Sequence, residues 1–284
     1  FMLKNHIIVG NGKWAKKIIF FLKKYEIAKQ IVVIGRKKKF FSYPNYKKLN
    51  NLDFKNVLKN SSTAHICSSN KTHLKYLNFF LKKNIDFIIE KPMVNNLKEF
   101  KKIKSNSKSK FLVNYIDLFN FDFEKICNLL NKNRNKKTSI KILYSNNSHR
   151  YKKKAELFES WLDHSLAITL FLNKKFSNFK ITKLQSKRDR KGKFNQFLEV
   201  EYKFKKSEIR FIITNNLPKK RIIEIKTSLK KYSFDLGKKT HLKKSSFYRL
   251  YNNLKNIDNS ILRFNLIFHK RILNEKHKIL EAIN

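Results

Sequence analysis

The chain has 284 residues, 41% apolar and 14% aromatic, enough for one large or two medium domains with real cores. No apolar stretch is long enough to span a bilayer, and Gly10 and Lys13 break the N-terminal segment before a signal-peptide core could form, so neither membrane nor secretory leader is expected. The formal charge of +46 arises from 66 basic residues against 20 acidic ones, but only ten are Arg and the lysines are spread through every segment. Asn, Ile, Phe and Tyr are in excess together with Lys, as A/T-rich codons would make them. The charge therefore reads as a solvated lysine coat, with no specific nucleic-acid partner, that still draws anionic ligands over some distance. Cys67 and Cys127, far apart in sequence, suit free thiols in a reducing compartment, and a cytoplasmic location is expected.

His6–Val9 is a short apolar run ending at Gly10, which predicts a buried parallel strand. Trp14–Lys24 follows as a helix, with Trp14, Ile18, Ile19, Phe21 and Leu22 at helical spacing. Gln30–Ile34 is a second strand, and a weak helix ends over Val57–Asn60. Ala64–Cys67 is a strand, Thr72–Lys83 a helix with Leu74, Leu77, Phe80 and Leu81 inward, and Asp86–Ile89 a strand. Asn96–Ile103 is a helix and Lys110–Tyr115 a strand. Such alternation predicts a doubly wound parallel sheet over residues 1–117. Beyond it, Phe123–Leu130 is helical, Thr138–Tyr144 a strand and Glu156–Asn173 a long helix. Five strands then follow one another: Lys180–Ser186, Phe197–Phe204, Glu208–Thr214, Arg221–Thr227 and Lys231–Asp235. Strands without intervening helices imply a mostly antiparallel sheet in a second domain, 118–284, closed by the amphipathic helix Ile261–Ile283. Lys104–Lys110 and Tyr151–Lys154 read as loops or solvated faces.

The chain has five glycines, three of them in its first 35 residues. Gly10-Asn11-Gly12-Lys13-Trp14-Ala15 follows a strand and opens a helix, which is the setting a dinucleotide-binding turn requires. Gly10 makes the tight turn, Gly12 lets the backbone approach a pyrophosphate, Ala15 permits close helix–strand packing, and the helix N-terminus offers N–H groups to the anion. The second strand ends Gly35-Arg36-Lys37-Lys38, with no carboxylate to accept from a ribose 2′-hydroxyl. Positive charge there suits a 2′-phosphate, so NADP is favoured with NAD as the alternative. His65 and Cys67 share a strand face, but no further ligand stands at metal spacing, and no metal is expected.

These residues, together with Glu90-Lys91-Pro92 at the end of the Asp86–Ile89 strand, resemble the Gfo/Idh/MocA family of sugar-type dehydrogenases. A second family signature, a strand ending in a Thr-Pro-Asn-like turn and then a His, reads here Cys67-Ser68-Ser69-Asn70-Lys71-Thr72-His73, with Ser68-Ser69 in place of Thr-Pro. The nearest match to a third, Gly-x-His-x-x-Asp at a helix start, is Leu162-Asp163-His164-Ser165-Leu166-Ala167. Leu162 stands for the Gly and Ala167 for the Asp. The resemblance implies an α/β chain: an N-terminal Rossmann sheet, then a C-terminal α+β domain with an open, mostly antiparallel sheet through which homo-oligomers form.

It further implies that Gly10, Asn11, Gly12, Lys13, Trp14, Arg36, Ser68, Asn70, His73 and Glu90 lie at the cofactor. Lys91 would hydrogen-bond the reacting oxygen and His164 would be the acid/base, with Asp163 orienting that site or serving as an alternative base. The activity implied is hydride transfer to or from a secondary alcohol of a sugar, nucleotide-sugar or polyol, and the lysine coat favours an anionic substrate. Two other readings stay open. The missing Gly and Ala167 suit an inactive dinucleotide-binding sensor or scaffold, and charge alone suggests a nucleic-acid binder.

Overall fold

The computed structural model describes residues 4–35, 61–104, 108–147, 156–188, 192, 194–238, 245–255 and 259–283. Arg36, Lys37 and Lys38, the helix end at 57–60 and the basic stretch 151–154 lie outside the described residues. The chain forms two compact units. One comprises Phe1–Asn114 and Phe247–Lys270; the other comprises Tyr115–Ser246 and Arg271–Asn284.

The first unit carries five parallel strands, β1 (Lys4–Val9), β2 (Ala28–Ile34), β3 (Ser61–Ile66), β4 (Asp86–Glu90) and β5 (Phe111–Asn114), in the order β2-β1-β3-β4-β5. Ile7, Ile8 and Val9 are buried because parallel strands are covered on both faces, which is why their apolar run does not alternate. The order reverses at β1, between β2 and β3. Their C-terminal ends therefore border the crevice where open α/β sheets take ligands.

Helix α1 (Lys13–Lys24) buries Ala15, Ile18, Ile19 and Leu22, a stripe at 3.6-residue spacing, and ends in Lys23 and Lys24, which suit its negative pole. Trp14 and Phe21, placed at helical spacing with that stripe, are only half-buried and pack on Phe247, with ring centroids 5.6 Å and 4.6 Å away. Helix α2 (Asn70–Lys82) buries His73, Leu77, Phe80 and Leu81. His73 takes the inward place expected of Leu74, because positions 73, 77 and 80 recur by four and three on one face while 74 sits at its margin. The helix expected over Asn96–Ile103 is the single turn α3 (Leu97–Phe100). Asn96 accepts from the Glu99 amide at 2.9 Å to start it, and i→i+3 bonds from Lys102 and Ile103 close it at once.

The second unit begins with a 3-10 turn (Ile116–Phe119) and helix α4 (Phe121–Lys132). Its strands are β6 (Thr138–Ser145), β7 (Phe179–Arg188), β8 (Phe194–Lys203), β9 (Ser207–Thr214), β10 (Lys220–Lys226) and β11 (Lys231–Asp235), in the order β11-β10-β6-β9-β8-β7. All pairs are antiparallel except β6 with β9, so the sheet is mostly antiparallel, as expected. Ile140, Ile142 and Tyr144 of β6 point to the core while Ser139 and Lys141 are exposed, the alternation of a half-buried strand. Helix α5 (Glu156–Asn173) is apolar nearly all round, and its Leu157, Phe158, Trp161, Leu162, Leu166 and Ile168 are buried. The opposite parity of β8 and β9 carries Glu199, Glu201 and Glu208 around Arg210, at 3.3–3.4 Å.

Helix α6 (Ser246–Lys255) was not expected. Its Phe247, Leu250, Tyr251 and Leu254 are all buried, a three-and-four stripe hidden among Asn, Tyr and Lys. Helix α7 (Asn259–Ile283) ends the described chain, and the boundary between the units falls within it. Among the described residues no helix is long and apolar enough to cross a membrane.

Candidate active site

In the first unit the turn after β1 is shaped by two glycines for different reasons. Gly10 has φ +122°, and a Cβ there would stand 2.7 Å from Cys67 O and 2.9 Å from Ser68 N. Only glycine fits so close to the β3 turn. The Gly10 amide also donates to Ile34 O at 2.8 Å, and the Cys67 amide to Val9 O at 2.9 Å, which lock the three strand ends together. Gly12, by contrast, is exposed, and a Cβ on it would meet nothing within 4 Å.

That space lies at the N-terminus of α1, where Gly12 supplies no side-chain cap and no acidic residue occupies the first turn. Lys13 is exposed, Trp14 is half-buried, and Asn11 lies under Gly35. An open cradle at an uncapped helix start, flanked by lysine, is what a pyrophosphate needs, so these residues fit a dinucleotide.

Ser68 and Asn70 flank the start of α2 on the β3 side of the crevice. Thr72 Oγ1 donates to Ser68 Oγ at 2.7 Å and lies 2.8 Å from Ser69 O. His73 faces two carbonyls, with Nδ1 2.8 Å from Pro92 O and Nε2 3.1 Å from Ser68 O. Burial lowers its pKa, against the raising effect of those carbonyls and of Glu90. His73 thereby ties the β3 turn to the Glu90-Lys91-Pro92 turn. Cys67, at the same strand end, is pushed up by burial and then by Glu90, which makes it a poor nucleophile.

Glu90 and half-buried Lys91 stand at the C-terminal end of β4, on the same sheet edge as Gly10 and Ser68 because all five strands run parallel. Glu90 Oε1 accepts from Asn114 Nδ2 at 2.6 Å and lies 2.9 Å from His65 Nε2. His65, fully buried, meets the Tyr251 hydroxyl through Nδ1 at 2.6 Å. His65 thus takes part in a side-chain network that the sequence did not suggest.

In the second unit His164 lies on α5 with 11% of its side chain exposed. Its Nδ1 is 3.1 Å from Asp117 Oδ2. The same oxygen accepts from Tyr144 Oη at 2.7 Å, and Asp117 Oδ1 is 3.1 Å from Arg221 Nη1. The Arg221 guanidinium lies over the Trp161 ring, 5.5 Å from its centroid. Burial would raise the Asp117 carboxyl, but His164, Arg221 and Tyr144 outweigh it and hold it well below the usual carboxylate range. The Tyr144 hydroxyl is pushed up by burial and by Asp117 and so stays a donor.

His164 Nδ1 thus stands within ion-pair distance of an ionised carboxylate, which can stabilise an imidazolium there. Asp163 is fully buried on the same helix, with Oδ2 3.0 Å from Lys276 Nζ. The carboxylate beside His164 is therefore that of Asp117, which sequence reasoning missed. Its signal was an acid flanked by Ile116, Leu118 and Phe119 in a chain poor in acids.

At the other end of β6 from Tyr144, a cleft of about 470 Å³ is lined by Phe204 and by Lys137, Lys203, Lys205, Lys206 and Lys226. Among the described residues no group of three His, Cys, Asp or Glu side chains is placed to hold a metal.

Residues 4–115 match the model of the Gfo/Idh/MocA proteins, described as an oxidoreductase family with an NAD-binding Rossmann fold. Over those residues the chain is similar to the Gfo/Idh/MocA oxidoreductases, as the sequence resemblance implied. No curated protein sequence matches the chain. Solved structures do. A myo-inositol dehydrogenase from Corynebacterium glutamicum is 11% identical with TM-score 0.74, covering 99% of this chain and 96% of its own. An aldose-aldose oxidoreductase from Caulobacter crescentus is 12% identical with TM-score 0.71, covering 99% and 97%. A Gfo/Idh/MocA family oxidoreductase from Vibrio cholerae is 13% identical with TM-score 0.70, covering 99% of both chains. At these identities the likeness is one of fold.

Proposed function

We propose that the protein is an NAD(P)-dependent oxidoreductase that moves a hydride to or from a secondary alcohol of a sugar, nucleotide-sugar or polyol. The observation that carries this reading is the cradle at Gly12, open and at an uncapped helix start, on the same sheet edge as Glu90 and Lys91. The similar structures named for myo-inositol and aldose chemistry support the substrate class. NADP is the favoured cofactor, on the positive charge of Arg36-Lys37-Lys38 and the lack of a carboxylate there.

When bound, the nicotinamide dinucleotide supplies the hydride acceptor or donor. The rest belongs to this chain. Gly10, Asn11, Gly12, Lys13 and Trp14 receive the pyrophosphate at the start of α1, with Ser68, Asn70, His73 and Glu90 along the neighbouring strand ends. The Lys91 ammonium donates to the reacting oxygen and stabilises the alkoxide that develops on it. His164 Nε2 takes the hydroxyl proton in oxidation and returns it in reduction. Asp117, 3.1 Å from Nδ1, stabilises the imidazolium, while Arg221 keeps Asp117 ionised so that the proton stays on His164. Asp163, bound to Lys276, anchors α5 beneath that histidine.

The test is a titration of the protein with NADPH and NADH by nicotinamide fluorescence, followed by turnover on sugars, polyols and nucleotide-sugars. Saturable binding, and turnover lost in Lys91→Ala and His164→Ala with binding kept, is the expected result. Binding without turnover on any substrate would point to a dinucleotide-binding sensor instead. Failure to bind either cofactor would end the proposal.

A further inference from the structure

One face of the first-unit sheet carries a polar seam through an otherwise apolar core. His6 on β1, His65 on β3, Glu90 on β4 and Asn114 on β5 share that face. His6 aligns with Thr63, two residues before His65; His65 aligns with Ile88, two before Glu90; and Glu90 aligns with Asn114. His6, His65 and Asn114 are at most 2% exposed. Tyr251 of α6 closes the seam, with its hydroxyl 2.6 Å from His65 Nδ1 and its ring edge-on to His6 at 5.3 Å. A buried polar chain of this kind is less stabilising than apolar packing unless every member is bonded, so its open ends are informative.

The seam is open at the ligand edge. Both donors to Glu90, from His65 and Asn114, fall on Oε1, and no bond is made to Oε2 among the described residues. Asn114 Oδ1 is buried and has no hydrogen-bond partner. Two acceptors therefore stand at the C-terminal ends of β4 and β5, where an α/β sheet takes its ligands. A group presenting N–H or O–H donors, such as a primary amide or a ribose hydroxyl, would complete the seam.

We propose that His65 and Tyr251 are positioning residues: they hold Glu90 by Oε1 so that Oε2 is presented to donor groups of the dinucleotide. Tyr251 reaches His65 across 186 residues of sequence, so α6 sets the geometry of a strand end that its own sequence neighbourhood does not fix. The tautomer follows from the partners. The Tyr251 hydroxyl donates to Nδ1, and Nε2–H donates to Glu90. Loss of the phenolic hydroxyl frees the ring to turn, and the carboxylate with it.

This inference rests on the dinucleotide reading above, and NADPH is the probe. Its Kd is measured by fluorescence for the unaltered protein and for Tyr251→Phe, His65→Leu and His65→Gln, each with Glu90 present and with Glu90→Ala. Gln at 65 keeps an N–H donor near the place of Nε2; Leu does not. The expected loss is roughly tenfold for His65→Leu and about fivefold for Tyr251→Phe, as one charge-assisted hydrogen bond would give, with His65→Gln within about twofold. In the Glu90→Ala background these differences vanish, because there is no carboxylate left to hold. A merely structural role would persist there. Unchanged Kd in Tyr251→Phe, or losses that survive Glu90→Ala, overturn this inference alone. No NADPH binding by the unaltered protein overturns it together with the proposed function. Should His65→Leu not fold, Tyr251→Phe and His65→Gln decide.

Discussion

Each unit of the protein buries a carboxylate against a histidine, and the two pairs are completed in opposite ways. Glu90 lies 2.9 Å from His65 and receives its other donor from the neutral amide of Asn114. Asp117 lies 3.1 Å from His164 and is closed by the guanidinium of Arg221 as well as by Tyr144. A cation beside a buried carboxylate keeps it ionised across the working pH range, and a carboxylate that stays ionised can stabilise a histidine that gains and loses a proton. Neutral donors fix direction without supplying charge. Under the proposed function, the first pair orients a ligand and the second moves a proton.

The sharpest way to break that contrast is at Asp117. Asp117→Asn leaves the largely buried Arg221 facing a neutral amide, and a loss of about 3–5 kcal/mol is expected in urea unfolding, as for a broken buried ion pair. The same change to an exposed cation tests whether burial is the reason. Arg210, 43% exposed among Glu199, Glu201 and Glu208, should lose only about 0–1 kcal/mol on replacement by Gln.

The two glycines of the first turn come next. Gly10→Ala forces a side chain into positive φ and against Cys67 O, and should destabilise by about 1–3 kcal/mol or more. Gly12→Val has open space around it and should leave stability within about 0.5 kcal/mol while abolishing NADPH binding, checked by unfolding and fluorescence on one preparation. Equal effects at both positions would deny that the cradle is reserved for a ligand.

The last expected effect is a slope. His6 is lowered by burial, and then by His65, to about 3. Its unfolded value is about 6.5, so below that pH the unfolded chain takes up a proton the folded chain refuses. Stability is therefore full above the unfolded value and falls as pH drops from there toward the folded one. The maximum slope is about 1.4 kcal/mol per pH unit, and His73 adds to it in the same direction. His6→Leu should flatten the curve measured by urea unfolding between pH 6.5 and 4.5. An unchanged slope would mean that other groups set the acid limb.

Much of the first unit was legible because its signals are local. A strand, a glycine turn and the start of a helix occupy ten consecutive residues, and Glu90-Lys91-Pro92 follows directly on its strand. The stripe of α6 was also within reach, since Phe247, Leu250, Tyr251 and Leu254 recur at helical spacing, but a short helix rich in Asn and Lys has little propensity to announce it. Asn96–Ile103 failed in the other direction: Lys101-Lys102 continue a helical composition, and the hydrogen bonds still close after one turn.

The sequence by itself determined the alternation of strands and helices, the dinucleotide turn and the family resemblance, because each depends on residues adjacent in the chain or on a short period. Tertiary structure alone decided which partners the buried polar groups found. Asp117 meets Arg221 across 104 residues and Tyr251 meets His65 across 186. No period or composition encodes such pairings. They follow from strand order and from where the chain returns after β11, and most buried polar groups bond to a partner that folding brings within reach.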